Sequence, residues 1–261
     1  MEEMATMSSA DKVTLYYEEA GQGFPVIFLH GLTGDHTMFE REMNQLKGQF
    51  RVIALDMRGH GRSDKPKVYT LEDHIQDVLR MMDELNIESA HLVGVSMGSY
   101  IAQGVAVEAP KRVAKLVLTA PKAHGRTSST ARLFAEHEAE LSGLSHQEKL
   151  EKASMYIYHD IGKVRDWSKQ IEGRAVELNA EQEQAASDAL KGFDFRAQLP
   201  FVEVESLVLS GKYDGLNPPE YGKEIADLIP ACRFVEYEHS GHGINVEEHE
   251  RFVKEIREFL E

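Results

Sequence analysis

The sequence predicts an α/β protein, a mostly parallel sheet covered by helices on both faces with a helical cap set into it. Three observations carry this. Six short runs are rich in Val, Ile and Leu and do not alternate with polar residues, as expected of strands buried on both faces. Helical patterns lie between them, and strands alternating with helices imply a parallel sheet. One long stretch, from Ala123 to Phe195, breaks that alternation and reads as helix throughout.

The apolar runs are PVIFLH (25–30), RVIALD (51–56), HLVGV (91–95), KLVLTA (115–120), SLVLSG (206–211) and CRFVEYE (232–238). Between the second and third, residues 70–86 place Leu71, Ile75, Val78, Leu79, Met82 and Leu85 on one helical face, with Thr70 and Asp73 as a capping pair. Residues 218–230 and 246–261 are helical as well. The stretch 123–195 contains no proline, and its segments 131–144, 146–161 and 181–193 are amphipathic. A crossover needs only about a dozen residues, so plain crossover helices do not account for it. The expected organisation is a core domain from 1–122 and 197–261, with a helical cap domain at 123–196; residues 1–9 read as a loose end.

Bulk composition narrows the function. There are 44 acidic and 29 basic residues, a net charge of −15, which disfavours nucleic acid and anionic membranes as partners. A single cysteine, Cys232, allows no intramolecular disulfide and no cysteine metal cage. The start MEEMATMSS lacks the basic-then-apolar order of a signal peptide, and no apolar run approaches the roughly 20 residues that span a bilayer. A cytoplasmic protein is expected.

The residues with chemistry cluster after the apolar runs. Gly94-Val95-Ser96-Met97-Gly98 is G-x-S-x-G between a strand and a helix, the pattern of a nucleophile elbow. Small residues at 94 and 98 allow strand and helix backbones to approach closely, and the serine hydroxyl is raised to a helix N-terminus. Serine needs a base, and the base needs an orienting carboxylate. In such a site these follow in the order serine, acid, histidine. Asp214 comes just after the run 206–211, and His242 just after the last run. Glycines 211, 215, 241 and 243 are expected to let these loops bend. His239 is the competing base, but the Gly-His pair at 241–242 is the better loop position. Asp64, Asp194 and Asp227 read as surface or cap residues. The run 115–120 is followed by no carboxylate. Asp35-His36 and His159-Asp160 lack the spacing of a metal site, and no metal is expected.

An acyl transfer also needs two N–H donors facing the developing oxyanion. Met97, next after Ser96, supplies one. The loop FLHGLTGD supplies the other through Leu32, with Gly31 and Gly34 giving backbone room. His30 precedes the turn and reads as a brace for that loop.

Together these pieces resemble the α/β-hydrolase superfamily, from about Val13 to the end and most weakly through the cap. The matching segments are YYEEAGQGFPVIFLHGLTG, VIALDMRGHGRSDKP, HLVGVSMGSYIA, LVLSGKYDGLNPP and SGHGINVEEHERF. The resemblance implies an eight-stranded sheet with one antiparallel strand near its start, a cap over the active site, and no cofactor. Asp56, Arg58 and Asp64 would pin a loop beneath the elbow. Ser99 departs from the third small glycine of many relatives, at little expected cost. A serine nucleophile argues against the dehalogenase and epoxide-hydrolase branches, which use aspartate.

The sequence looks closest to small carboxylesterases and enol-lactonases; the menaquinone-pathway synthase-lyase shares the HG, GHG and S-M-G pieces. The expected function is hydrolysis of a small or medium carboxylic ester or lactone by Ser96, His242 and Asp214. Alternatives are C–C bond cleavage or a lyase reaction on the same three residues, or a non-catalytic ligand receptor. Among the cap residues Phe134, Met155, Tyr156, Tyr158, Trp167 and Phe193, two or three are expected to touch substrate; Trp167 and Gly31 are the named candidates.

Overall fold

The computed structural model describes residues 3–8 and 13–261. Eight strands form one sheet: β1 (Glu3–Ser8), β2 (Thr14–Ala20), β3 (Phe24–Leu29), β4 (Phe50–Asp56), β5 (Ala90–Val95), β6 (Val113–Thr119), β7 (Ser206–Gly211) and β8 (Cys232–Tyr237). Their order across the sheet is β1-β2-β4-β3-β5-β6-β7-β8. β2 pairs antiparallel with both neighbours and every other pair is parallel, so β2 alone runs against the rest. The expected sheet is therefore present. The expected loose end is corrected at residues 3–8, whose backbone pairs with β2 and covers an edge that would otherwise present unpaired N–H and C=O groups. Residues 1, 2 and 9 lie outside the described residues.

The helices are α1 (Glu40–Leu46), α2 (Leu71–Glu84), α3 (Met97–Glu108), α4 (Ser129–Glu136), α5 (Glu138–Leu141), α6 (His146–Ile157), α7 (Ile161–Ile171), α8 (Ala180–Ala189), α9 (Pro219–Leu228), α10 (Ile244–Glu247) and α11 (His249–Leu260). Among the described residues, no helix is long and apolar enough to cross a membrane.

Adjacent strand residues point to opposite faces, and both faces are buried. Ile27, Leu29, Leu92, Leu116 and Val208 pack with Ile75 and Val78 of α2, Ile101 of α3 and Ile225 of α9. Val26, Phe28, Val93, Val117 and Leu207 pack on the other side with Met43 of α1 and Phe252 and Ile256 of α11. This double burial is why the strands read as unbroken apolar runs. Thr70 and Asp73 form the expected capping pair at α2: Thr70 Oγ1 accepts the Asp73 N–H at 3.2 Å, and Asp73 Oδ2 accepts the Thr70 N–H at 2.8 Å.

Helices α4 to α8 lie between β6 and β7. The two ends of this insertion pair with each other. His124 and Asp194 form an antiparallel bridge, Gly125 N donates to Phe193 O (2.8 Å), and Phe195 N donates to Ala123 O (2.9 Å). Inside it, the helix expected to run through 161 ends at Ile157. Tyr158 is extended, and Asp160 starts α7 by accepting the Lys163 N–H at 3.0 Å.

The loop after β4 is held by buried polar contacts. Asp56 accepts bonds from the His36 N–H (2.7 Å), His36 Nδ1 (2.8 Å) and the Arg62 N–H (2.7 Å). Arg58 makes a bidentate pair with buried Asp77, both contacts at 2.6 Å. Asp64 Oδ2 accepts the Thr14 N–H at 2.7 Å, tying the loop to β2. His36 also reaches Glu18 through Nε2 at 3.1 Å. Burial opposes the charged ring, yet the bond to Asp56 and the charges of Asp56 and Glu18 leave its pKa above the ordinary 6.5. Asp56 is also buried, but the His36 bond holds it below the ordinary 3.8.

Two predictions follow from this packing. A Cβ at Gly98 would lie 1.9 Å from Leu29 O, so Gly98→Ala should lower the unfolding free energy by about 1–3 kcal/mol. Urea denaturation checks this, and an unchanged midpoint would contradict so close a strand–helix contact. The His36 imidazolium stabilises the fold fully below about pH 6.5, and its contribution fades as pH rises through the raised folded value. The stability gap between wild type and His36→Gln should therefore shrink as pH rises above the ordinary histidine value. A constant gap would rule out a charged brace.

Candidate active site

Ser96 joins β5 to α3 with φ 52° and ψ −115°, a conformation that costs a non-glycine residue about 1–3 kcal/mol. The surroundings impose it. Ser96 N donates to Thr119 O at 2.9 Å, and Ser96 O accepts the Ser99 hydroxyl at 2.6 Å and the Ser99 N–H at 2.9 Å. The serine at 99 thus fits and adds a bond. Gly94 and Gly98 meet backbone to backbone: a Cβ on Gly94 would lie 2.3 Å from Gly98 O. Ser96 remains half-buried, and the Met97 N–H opens α3, where it has no carbonyl partner within the helix.

The loops after β7 and β8 converge. Asp214 is buried; its Oδ1 accepts the N–H groups of Leu216 (2.9 Å) and Asn217 (2.8 Å). Its Oδ2 lies 2.8 Å from Nδ1 of His242. With Nδ1–H donated to the carboxylate, Nε2 is the ring nitrogen left to take a proton. His239 is exposed, and its backbone N–H bonds Glu248 instead. The glycines here serve a purpose other than the expected bending, since none of 211, 215, 241 and 243 has a positive φ. Three of them permit close approach: a Cβ on Gly211 would lie 2.0 Å from Gly241 O, on Gly215 2.3 Å from Tyr156 O, and on Gly241 2.3 Å from Ile157 O.

The loop after β3 turns tightly, with Gly34 N donating to Gly31 O at 3.0 Å and Thr33 at φ 64°. His30 is fully buried beneath it. Nε2 accepts the Met57 N–H at 3.0 Å, so Nδ1 donates to Gly31 O at 2.8 Å. Burial lowers the His30 pKa, in keeping with a neutral ring that accepts at one nitrogen and donates at the other. Gly31 faces Ser96: a Cβ there would lie 3.5 Å from the Ser96 Cβ. Leu32 is half-buried and packs against the core.

Sequence reading missed a polar network on the other flank. Asn217 Nδ2 donates to the Tyr100 hydroxyl and to Ala120 O, both at 2.7 Å, while its Oδ1 accepts the Ser129 hydroxyl at 2.7 Å. Desolvation pushes the Tyr100 phenol up to about 12, against hydrogen bonds from Asn217 and Ser96 that lower it. Lys122 Nζ donates to Ser129 Oγ (3.0 Å) and Thr127 O (3.1 Å), and burial brings its pKa down to about 8. The only sequence signal for this network was an asparagine three residues after Asp214.

The cap candidates separate. Phe193 stacks on Tyr100 with centroids 5.2 Å apart. Burial raises Tyr158 to about 12, with Asp214 and Glu247 adding to the shift. Met155 is exposed, and Tyr156 stacks on His137. Trp167 lines a surface groove with Arg41, Gln170 and His249, and the groove's lining includes none of Ser96, Asp214 and His242. Asp35, His36 and Asp56 lie close enough together to suggest a cation site. Their polar atoms are engaged otherwise: His36 bridges Asp56 and Glu18, and Asp35 accepts bonds from Thr37 and from the Val176 N–H at 2.8 Å.

Comparison with known proteins agrees with this architecture. The family model described as the alpha/beta hydrolase fold matches residues 25–249. The AB hydrolase superfamily protein YisY of Bacillus subtilis is 30% identical over 266 residues, covering 97% of each chain. The 3-oxoadipate enol-lactonase 1 of Acinetobacter baylyi is 27% identical, covering 90% of this chain and 88% of its own. An esterase from Exiguobacterium antarcticum superposes with a TM-score of 0.83 at 25% identity, over 98% of both chains. Other relatives carry provisional names for non-heme bromoperoxidase and carbamate hydrolase, so the names diverge on the reaction. The sheet order, the strained serine turn and these matches together show that the chain belongs to the α/β-hydrolase fold family.

Proposed function

We propose that this protein is a serine hydrolase that cleaves a small or medium carboxylic ester or lactone. The observation that carries the reading is the 2.8 Å contact between Asp214 and His242, formed at the same sheet edge as the strained, half-buried Ser96. The esterase and enol-lactonase among the similar proteins support the substrate class.

In this reading His242 Nε2 takes the Ser96 proton as Oγ attacks the carbonyl carbon. Negative charge gathers on the carbonyl oxygen, where the N–H groups of Leu32 and Met97 stabilise it. The C–O bond to the alkoxide breaks, and the alkoxide leaves with the proton from His242. The resulting acyl-enzyme is hydrolysed by water activated by the same ring. Asp214 stays ionised and holds the imidazole in its productive tautomer. The 123–196 insertion acts as a cap, with Phe193 stacked on Tyr100 of α3. A cytoplasmic location fits the single cysteine.

Two outcomes are expected. Ser96→Ala should lower kcat on p-nitrophenyl acetate by about 10³-fold or more with the fold intact, and a fluorophosphonate probe should label the wild type on Ser96 alone. Persistent hydrolysis in the variant would remove Ser96 from the mechanism, while a wild type that neither hydrolyses nor labels would favour a ligand receptor. Asp214→Asn keeps the shape but loses the charge that selects the tautomer, so kcat should fall by roughly 10⁴-fold. A loss under about tenfold would give the orienting role to another group.

A further inference from the structure

Glu247 closes α10, five residues after His242, and its side chain is buried. A carboxylate placed there needs donors. Its Oε2 accepts the N–H groups of His159 (2.8 Å) and Asp160 (2.7 Å), which lie in the turn between α6 and α7 of the insertion. Its Oε1 accepts the N–H groups of Gly241 (3.0 Å) and Gly243 (3.2 Å), the residues on either side of His242. One side chain thus joins the insertion to the backbone that carries the histidine.

Other bonds run the same way. His242 N donates to Ile157 O at 2.7 Å, and Gly215 N, next to Asp214, donates to Tyr156 O at 3.0 Å. Lys163 Nζ donates to the Glu247 carbonyl at 2.7 Å. Residues 156–160 of the insertion therefore support the acid loop and the histidine loop together. Lifting that turn from the sheet edge would break two of the four bonds to Glu247 and free the peptide group of His242 itself.

We propose that Glu247 is a positioning residue that makes alignment of His242 conditional on a seated insertion, an inference that rests on the serine-hydrolase reading above. With the insertion displaced, the imidazole loses its register with Asp214 and Ser96, and hydrolysis is confined to the closed form. The side chain touches no reacting atom and acts through the backbone at 241–243.

The test pairs a variant with a measurement on the wild type. Glu247→Gln keeps the shape but replaces one acceptor oxygen with an NH₂ group that faces N–H donors. It should lower kcat by about tenfold or more while KM moves less than about threefold. Amide hydrogen exchange in the variant should accelerate at His159 and Asp160 together with Gly241 and Gly243. In the wild type, a phosphonate on Ser96 should slow exchange at His159 and Asp160 by at least about threefold, a readout that a merely structural carboxylate would not move and that stands if the variant fails to fold. The proposal is overturned by a kcat within about twofold of wild type in Glu247→Gln, or by unchanged exchange at 159–160 after phosphonylation. Failure of the phosphonate to attach to Ser96 would instead strike the nucleophile assignment on which the proposal stands.

Discussion

The reversal of the chain at Ser96 is the constraint on which the site depends. A strand buried on both faces ends, one residue turns through a conformation that side chains avoid, and a helix departs back across the sheet. That geometry requires two backbones in direct contact, and Gly94 and Gly98 are where they touch. Packing on this scale holds the turn: α3 is buried from Met97 to Ala106, so the strain at one residue is set against a full helix of apolar contact. The helix then presents its first free N–H group beside the serine without any further arrangement.

Around that turn the molecule spends its buried polar groups on loops. His30 holds the turn after β3 from below, Asp56 and His36 hold the loop after β4, and Asn217 links the acid loop to Tyr100 and the end of β6. The sheet supplies the edge on which the loops stand, and these bonds fix where each side chain points. The net charge is strongly acidic, yet the interior around Tyr100 and the β3 loop holds a neutral imidazole, a raised phenol and an ammonium brought down to about 8. Local burial, rather than the net charge of −15, sets the electrostatics where the chemistry is proposed.

Much of this was legible in the sequence because it rests on short-range rules. Six apolar runs marked six strands, the capping pair at Thr70 and Asp73 marked α2, and G-x-S-x-G between strand and helix marked the turn. Asp214 and His242, which the structure brings to 2.8 Å from each other, stand out in the sequence by their places after two strands. β2 escaped because Tyr16, Tyr17, Glu18 and Glu19 at the antiparallel side of the sheet mix polar and apolar residues without a clean period. The break that separates α7 from α6 escaped because it is signalled only by Asp160, which continues the preceding helical pattern. The roles of Tyr100, Asn217 and Glu247 depend on contacts between distant segments, and no local pattern announces those. Trp167 illustrates the converse: an aromatic on an insertion helix invites a substrate role, but α7 turns it into a seam lined by Arg41 and His249.

The attachment of the insertion has a bearing on redesign. It is fastened at its neck by the His124–Asp194 pairing, beside the β3 loop by the Val176 amide on Asp35, and beside the histidine loop by residues 156–160. A foreign helical segment grafted between β6 and β7 would have to reproduce these moorings in register, so, on the reading of the insertion as a cap, exchanging its individual side chains is the more tractable route to a new substrate range.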